Sequence, residues 1–224
     1  MSEISESIVY FWLSRALLGA HRCNELLNAF GYAELWNAFT DREIREAVGE
    51  KYGFLRDSRD VGYLQAERKA LAAAGIQVVT RANPDFPERL RQKEVSPPVA
   101  LYCKGDVRLL TRDTVTVVGT RACSRYGRDV AERLTAGLIQ AGMTVATGMA
   151  TGIDGYVLRA AIDAGGRPIS VLASGLDKVT PVSHEPLAAE VAEKGLLVSE
   201  LPLGTDAQKF TFRERNRLLA GLSL

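Results

Sequence analysis

Residues 114–151, TVTVVGTRACSRYGRDVAERLTAGLIQAGMTVATGMAT, constrain the architecture more than any other stretch of the 224-residue chain. A β-branched run from Val115 to Val118 stops at Gly119-Thr120-Arg121. After a short polar loop, an amphipathic segment beginning near Gly127 carries Val130, Leu134 and Leu138 on one face. Gly142 closes that helix, a second apolar run follows over 143–146, and it too ends in glycine, at Gly148. The pattern is a βαβ unit. Strands buried on both faces, right-handed crossovers and ligand crevices at the carboxyl ends of the strands follow from that geometry.

The alternation continues. A helix over 153–164 ends at Gly165-Gly166, a strand over 168–173 runs into Ser174-Gly175, and a helix over 184–193 precedes a strand over 196–200. A last helix is expected over 213–222. Residues 113–224 are therefore expected to form a Rossmann-like α/β domain with a doubly wound, mostly parallel sheet. The alternation reaches Leu224 just after a helix that ought to feed another strand, so an open sheet edge is expected.

Residues 1–75 read instead as a small all-α module. Leu13, Leu17 and Leu18, then Leu26, Leu27 and Phe30, then Leu35, Trp36 and Phe39 recur at helical spacing, separated by Gly19, Gly31 and a Thr40-Asp41 capping signal. A longer helix over about 60–73 carries Leu64 and Leu71 and stops at Gly75. Such periodicity is mostly core packing. Between the two parts, residues 76–112 form an extended lead-in with short strands at 76–80 and 99–104, punctuated by Pro84, Pro87, Pro97 and Pro98.

With 28 Lys and Arg against 27 Asp and Glu, the chain is not globally basic, so any nucleic-acid site must come from local clustering. Cys23, Cys103 and Cys123 are isolated and fit neither a disulfide framework nor a zinc site, which points to a reducing cytoplasm. Glu3 and Glu6 replace a basic leader, and Arg15 interrupts the apolar stretch over 8–18. Neither a signal peptide nor a membrane span is expected.

Three turns at strand ends concentrate the chemistry. Gly119-Thr120-Arg121, followed by Arg125, Gly127 and Arg128 at a helix start, offers backbone N–H groups, a helix dipole and guanidinium groups to a phosphate. The alternative is a tight turn with solvated arginines. Gly148, Gly152 and Asp154 form a second glycine-rich turn, read as a pocket floor with Asp154 capping the next helix. Gly175 belongs to the same floor, and Lys178 adds a positive charge beside it. The stretch 209–217, KFTFRERNR, interleaves Lys209, Arg213, Arg215 and Arg217 with Phe210 and Phe212, the composition expected where bases stack and phosphates are neutralised. Either phenylalanine could equally enter the core. His184 reads as a helix-start residue. No GxGxxG fingerprint, nucleophile–base pair, metal-ligand cluster or close carboxylate pair is present, so no cofactor and no catalysis are expected.

VVGTRACSRYG, GMATGID, ASGLD with Pro181 and His184, LLVSELPLG and F-x2-RNRLLAGLS occur in this order, after a lead-in NPDFPERLRQKEVSPPVALYCKGD. In this combination the chain closely resembles the DprA/Smf family of DNA-processing proteins. The resemblance implies a helical SAM-like module before a Rossmann-like domain. It also implies that the domain binds single-stranded DNA without hydrolysing it, protects incoming strands and helps load the recombinase RecA, as a homodimer. Carried over by position, it assigns phosphate contacts to Thr120 and Arg121, charge to Lys209, a base contact to Phe212, and the remaining wall to Arg215, Asn216 and Arg217. The family's Arg before GID is Thr151 here, and its Ala-Ala-His after GID is replaced by Tyr156, Val157 and Leu158. Arg213 stands where the family has proline and returns a cation to the site.

Two other readings compete. One is a related Rossmann nucleotide hydrolase cleaving an N-glycosidic bond, whose PGGxGTxxE loop is absent. The other is an inactive, truncated copy whose basic residues are only a solvated face.

Overall fold

In the computed structural model, residues 4–37, 42–92 and 96–224 are described; Phe39 and the Thr40-Asp41 capping signal lie outside them. Among the described residues the chain opens with the helices α1 (Glu6–Ser14), α2 (Ala20–Asn37), α3 (Arg42–Val48), α4 (Tyr52–Asp57) and α5 (Val61–Ala73). Gly31, at φ 71°, kinks α2 where a side chain would be strained. Trp12 is fully buried edge-on to Trp36, ring centroids 5.3 Å apart, and its indole N–H donates to the Leu55 carbonyl at 3.0 Å. A buried indole needs that partner, so the bond fixes α1 against α4. Asp60 caps α5 by accepting from the Tyr63 N–H, and Leu64 and Leu71 face inward as their spacing predicts.

Six strands follow in one sheet: β1 (Ile76–Thr80), β2 (Ala100–Gly105), β3 (Thr114–Thr116), β4 (Thr144–Thr147), β5 (Ile169–Val171) and β6 (Leu196–Ser199). Their order is β1-β2-β6-β5-β4-β3. The pairs β3–β4, β4–β5 and β5–β6 are parallel, whereas β2 joins β6, and β1 joins β2, antiparallel. Both lead-in strands thus extend the sheet on the side away from β3.

Strand alternation divides the core between two faces. Ala100, Tyr102 and Leu197 pack with the helical module, α7 (Ile153–Asp163) and α8 (Glu185–Lys194). Leu101, Cys103 and Val198 pack with Leu218, Leu219 and Leu222 of α9 (Lys209–Leu222). Helices therefore cover both faces, as the βα alternation requires. The Tyr102 hydroxyl meets Ser14 Oγ at 3.0 Å, tying the sheet directly to α1.

Three local expectations change. The helix of the opening βαβ unit, α6 (Arg125–Gln140), starts two residues before Gly127 because Ser124 caps it, accepting from the Gly127 N–H at 3.1 Å. Its inward residues are Ala131 and Thr135, while Val130 and Leu134 are 40% and 52% exposed. Small side chains there admit the close approach of α7, whose Ile153 and Val157 fill the space instead. The outer edge of β3 is partly satisfied: the Leu224 N–H donates to the Thr114 carbonyl at 3.0 Å, and the Thr116 N–H to Ser223 Oγ at 3.0 Å.

Candidate nucleic-acid interface

The first glycine turn is held shut from below. Gly119 has no room for a side chain, since a Cβ would come within 2.6 Å of Ile153. Gly152, at φ 79°, lies against the carbonyls of Thr120 and Arg121, so only glycine fits there too. The Ile153 N–H donates to the Thr120 carbonyl at 3.2 Å, and Thr120 Oγ1 accepts from the Ala122 N–H at 3.2 Å. Arg121 and Arg125 are left projecting into solvent, with no ion pair or hydrogen bond from either guanidinium among the described residues. Arg128, by contrast, pairs with Glu132 at 2.8 Å and lies over the Tyr156 ring at 4.7 Å.

The second half of the site comes from α9, which begins at Lys209, four residues before the helix expected at 213. Gln208 and Thr211 form a reciprocal capping box that fixes this start. At about 100° per residue, Lys209, Phe212, Arg213 and Asn216 fall on one side of the helix. On that side the Arg121 guanidinium lies over the Phe212 ring, 4.9 Å from its centroid. That contact joins the two loops. The loop that carries Gly119, Thr120, Arg121 and Arg125 thereby touches, through Arg121, the helix that carries Lys209, Phe212, Arg213 and Asn216.

The same period sends Arg215 and Arg217 elsewhere, which corrects the wall of three consecutive residues expected at 215–217. Arg215 shares the inward side of α9 with Thr211, Leu218 and Leu222 and is buried. Its Nη1 donates to the Val171 carbonyl at 2.5 Å, and the group faces Asp154. Burial lowers its pKa while Asp154 opposes that shift. Arg217 turns toward the lead-in, donating to the Ser96 carbonyl at 2.8 Å and pairing with Glu200. Both guanidinium groups are thus engaged within the protein, Arg215 also lining the small hollow beside Phe212.

Asp154 does not cap α7, whose N-cap is Gly152. Its carboxylate accepts from the Ala150 N–H at 3.3 Å and from the Gly119 backbone, and it faces Arg215. Burial pushes its pKa up, with Arg215 acting in the opposite sense. A Cβ at Gly148 would overlap both Arg215 and Asp154, so that glycine makes room for the pair. The floor thus places two buried opposite charges between the strand-end loops and α9. Gly175 donates to the Thr205 carbonyl at 2.8 Å and supports the loop before α9, where Lys178 sits 3.9 Å from Asp206. His184 Nδ1 lies 3.0 Å from the Met149 carbonyl, and its ring fills the space beside Gly155.

The Asp154–Arg215 pair went unread in the sequence. Helical spacing held the signal, for Arg215 lies four residues after Thr211 and three before Leu218.

Fold and site together define a Rossmann-like α/β protein with a cationic, aromatic-backed strip where the parallel strands end. The family model described as DNA recombination-mediator protein A matches residues 77–224, and the chain belongs to that family. It is 32% identical over 212 residues to the DNA processing protein DprA of Bacillus subtilis, covering 90% of this chain and 71% of the relative. To the putative DNA processing protein DprA of Mycobacterium tuberculosis it is 40% identical over 128 residues, 56% of this chain and 33% of that one. The X-ray structure of DNA processing protein A from Streptococcus pneumoniae matches with a TM-score of 0.78 and 26% identity over 99% of this chain and 76% of that chain. The Helicobacter pylori protein, described for its single-stranded DNA binding mode, matches with a TM-score of 0.57 and 28% identity over 66% of each chain. Among the described residues no helix is long and apolar enough to cross a membrane.

Proposed function

We propose that this chain binds single-stranded DNA along the strip formed by the Gly119–Arg125 loop and the first turns of α9, and that it acts by binding and not by chemistry. The observation that supports this reading is the contact of Arg121 with Phe212, which brings two distant cation-bearing segments together. Arg121, Arg125, Lys209 and Arg213 neutralise phosphates, and Thr120 and Asn216 supply polar edges. The Helicobacter pylori relative supports the choice of a single strand. The bound strand is shielded and delivered to RecA in the cytoplasm, with a homodimer as the working unit; the family's description as a recombination mediator supports the handing of the strand to a recombinase. Three unpaired cysteines are in keeping with that compartment.

Fluorescence anisotropy with a labelled thymidylate oligonucleotide tests this. Four neutralised phosphates give a log–log salt slope of about −3, at roughly 0.7 per phosphate on a single strand. Folded protein whose binding is absent or insensitive to salt overturns the proposal. Release of ribose from a nucleoside monophosphate would favour a hydrolase instead.

A further inference from the structure

A base that reaches Phe212 must first displace Arg121, whose guanidinium covers the ring at 4.9 Å. The ring otherwise borders a small hollow formed with Met149, Ala150 and Ala173, and Arg215 stands 6.0 Å from its centroid. Phe210, 60% exposed, lies on the opposite flank of the strip, about 60° round the helix from Arg213 and nearer to Glu214, a carboxylate that repels phosphate.

Arg121 itself has the right surfaces. A guanidinium is planar and weakly hydrated, and it stacks on aromatic rings through its faces while its N–H donors radiate in its own plane. Here the guanidinium carbon lies over the Phe212 ring, and Arg121 as a whole is exposed to solvent. We infer that a base of the bound strand stacks on the outer face of Arg121, with Phe212 as the backing layer, while the edges of the same guanidinium hold a phosphate. One residue then reads a π-face and a charge together, and Phe212 acts as a positioning residue. A phosphate there also offsets the repulsion that Arg121 exerts on buried Arg215.

This inference rests on the single-strand reading above, and the experiment separates the two. Affinities for a short thymidylate oligonucleotide and for an abasic strand of equal length are compared across wild type, Arg121→Lys, Phe212→Leu and Phe210→Ala, each checked for folding by circular dichroism. Wild type is expected to prefer the thymidylate strand about tenfold, the scale of one stacked base. Arg121→Lys keeps the charge without the plane and should bring that ratio to within about twofold, with the salt slope unchanged. Phe212→Leu keeps the volume and should also lower the ratio, because the backing layer is lost. Phe210→Ala should leave it intact. A ratio that survives Arg121→Lys but vanishes in Phe212→Leu assigns stacking to Phe212 and overturns the inference. A wild-type ratio near one, with steep salt dependence, overturns it while leaving the single-strand reading standing. Loss of salt-dependent binding to both strands removes both.

Discussion

Asp154 on α7 and Arg215 on α9 are buried side by side beneath Gly148, near enough for their charges to interact though not in direct ion-pair contact. Removing either member leaves an uncompensated charge in the interior. Arg215→Ala and Asp154→Ala are each expected to destabilise the fold by about 3–5 kcal/mol. The double variant Asp154→Leu/Arg215→Met should recover most of that loss. Urea denaturation of the four proteins as a double-mutant cycle measures the coupling; strictly additive losses would dissolve the pair.

Gly148 makes room for this pair. Gly148→Ala places a methyl group against the Arg215 guanidinium and the Asp154 carboxylate, and overpacking of this kind costs about 1–3 kcal/mol. The urea midpoint of the variant checks it, and a wild-type midpoint would mean that the guanidinium moves aside freely.

Helical phase separates two cations that the sequence places eight residues apart. Lys209 is exposed on the strip, whereas Arg217 is paired with Glu200 against the lead-in. Lys209→Glu should weaken single-strand binding and reduce the salt slope by about 1. Arg217→Ala should leave the slope unchanged and cost stability, by about 1–3 kcal/mol, since Glu200 is left largely shielded without its partner. Anisotropy across a salt series, set beside chemical denaturation, distinguishes the two effects.

The Glu200 carboxyl is raised above its usual range by burial, with Arg217 pulling the other way. The folded state then keeps a proton that the unfolded chain has released. Stability contributed by this group is full below the unfolded value, about 4.3, and declines as pH rises through the folded value. Glu200→Gln should remove that part of the decline. Asp106, held well below the usual carboxylate range chiefly by its hydrogen bond from Arg108, contributes with the opposite sign at lower pH. Urea midpoints of wild type and variant between about pH 4 and 7 isolate the Glu200 contribution; parallel curves would deny it.

On α6, the exposure of Leu134 and the burial of Thr135 predict unequal tolerance. Leu134→Lys should change stability by less than about 0.5 kcal/mol, while Thr135→Lys forces a charge into the contact with α7 and should cost several times more. Thermal unfolding of the two variants decides it.

Much of the architecture was legible in the chain itself. The βα alternation, the glycines that end its strands, the buried stripe of α5 and the two lead-in strands all follow from local pattern, because period and turn chemistry are set by neighbouring residues. The local clustering of cations and aromatics at Gly119-Thr120-Arg121 and at 209–213 was legible for the same reason: charge and aromatic composition can be counted along a sequence. What only tertiary packing decided was direction. A capping box moved the start of α9 to Lys209, and the helix then aimed Arg213 outward, Arg215 into the core and Arg217 at Glu200. On α6, close approach to α7 selected Ala131 and Thr135 over larger neighbours for the interior. Side chains one residue apart on a helix differ by about 100°, so which of them meets a ligand depends on the helix's rotation against its neighbours, and long-range contacts set that rotation.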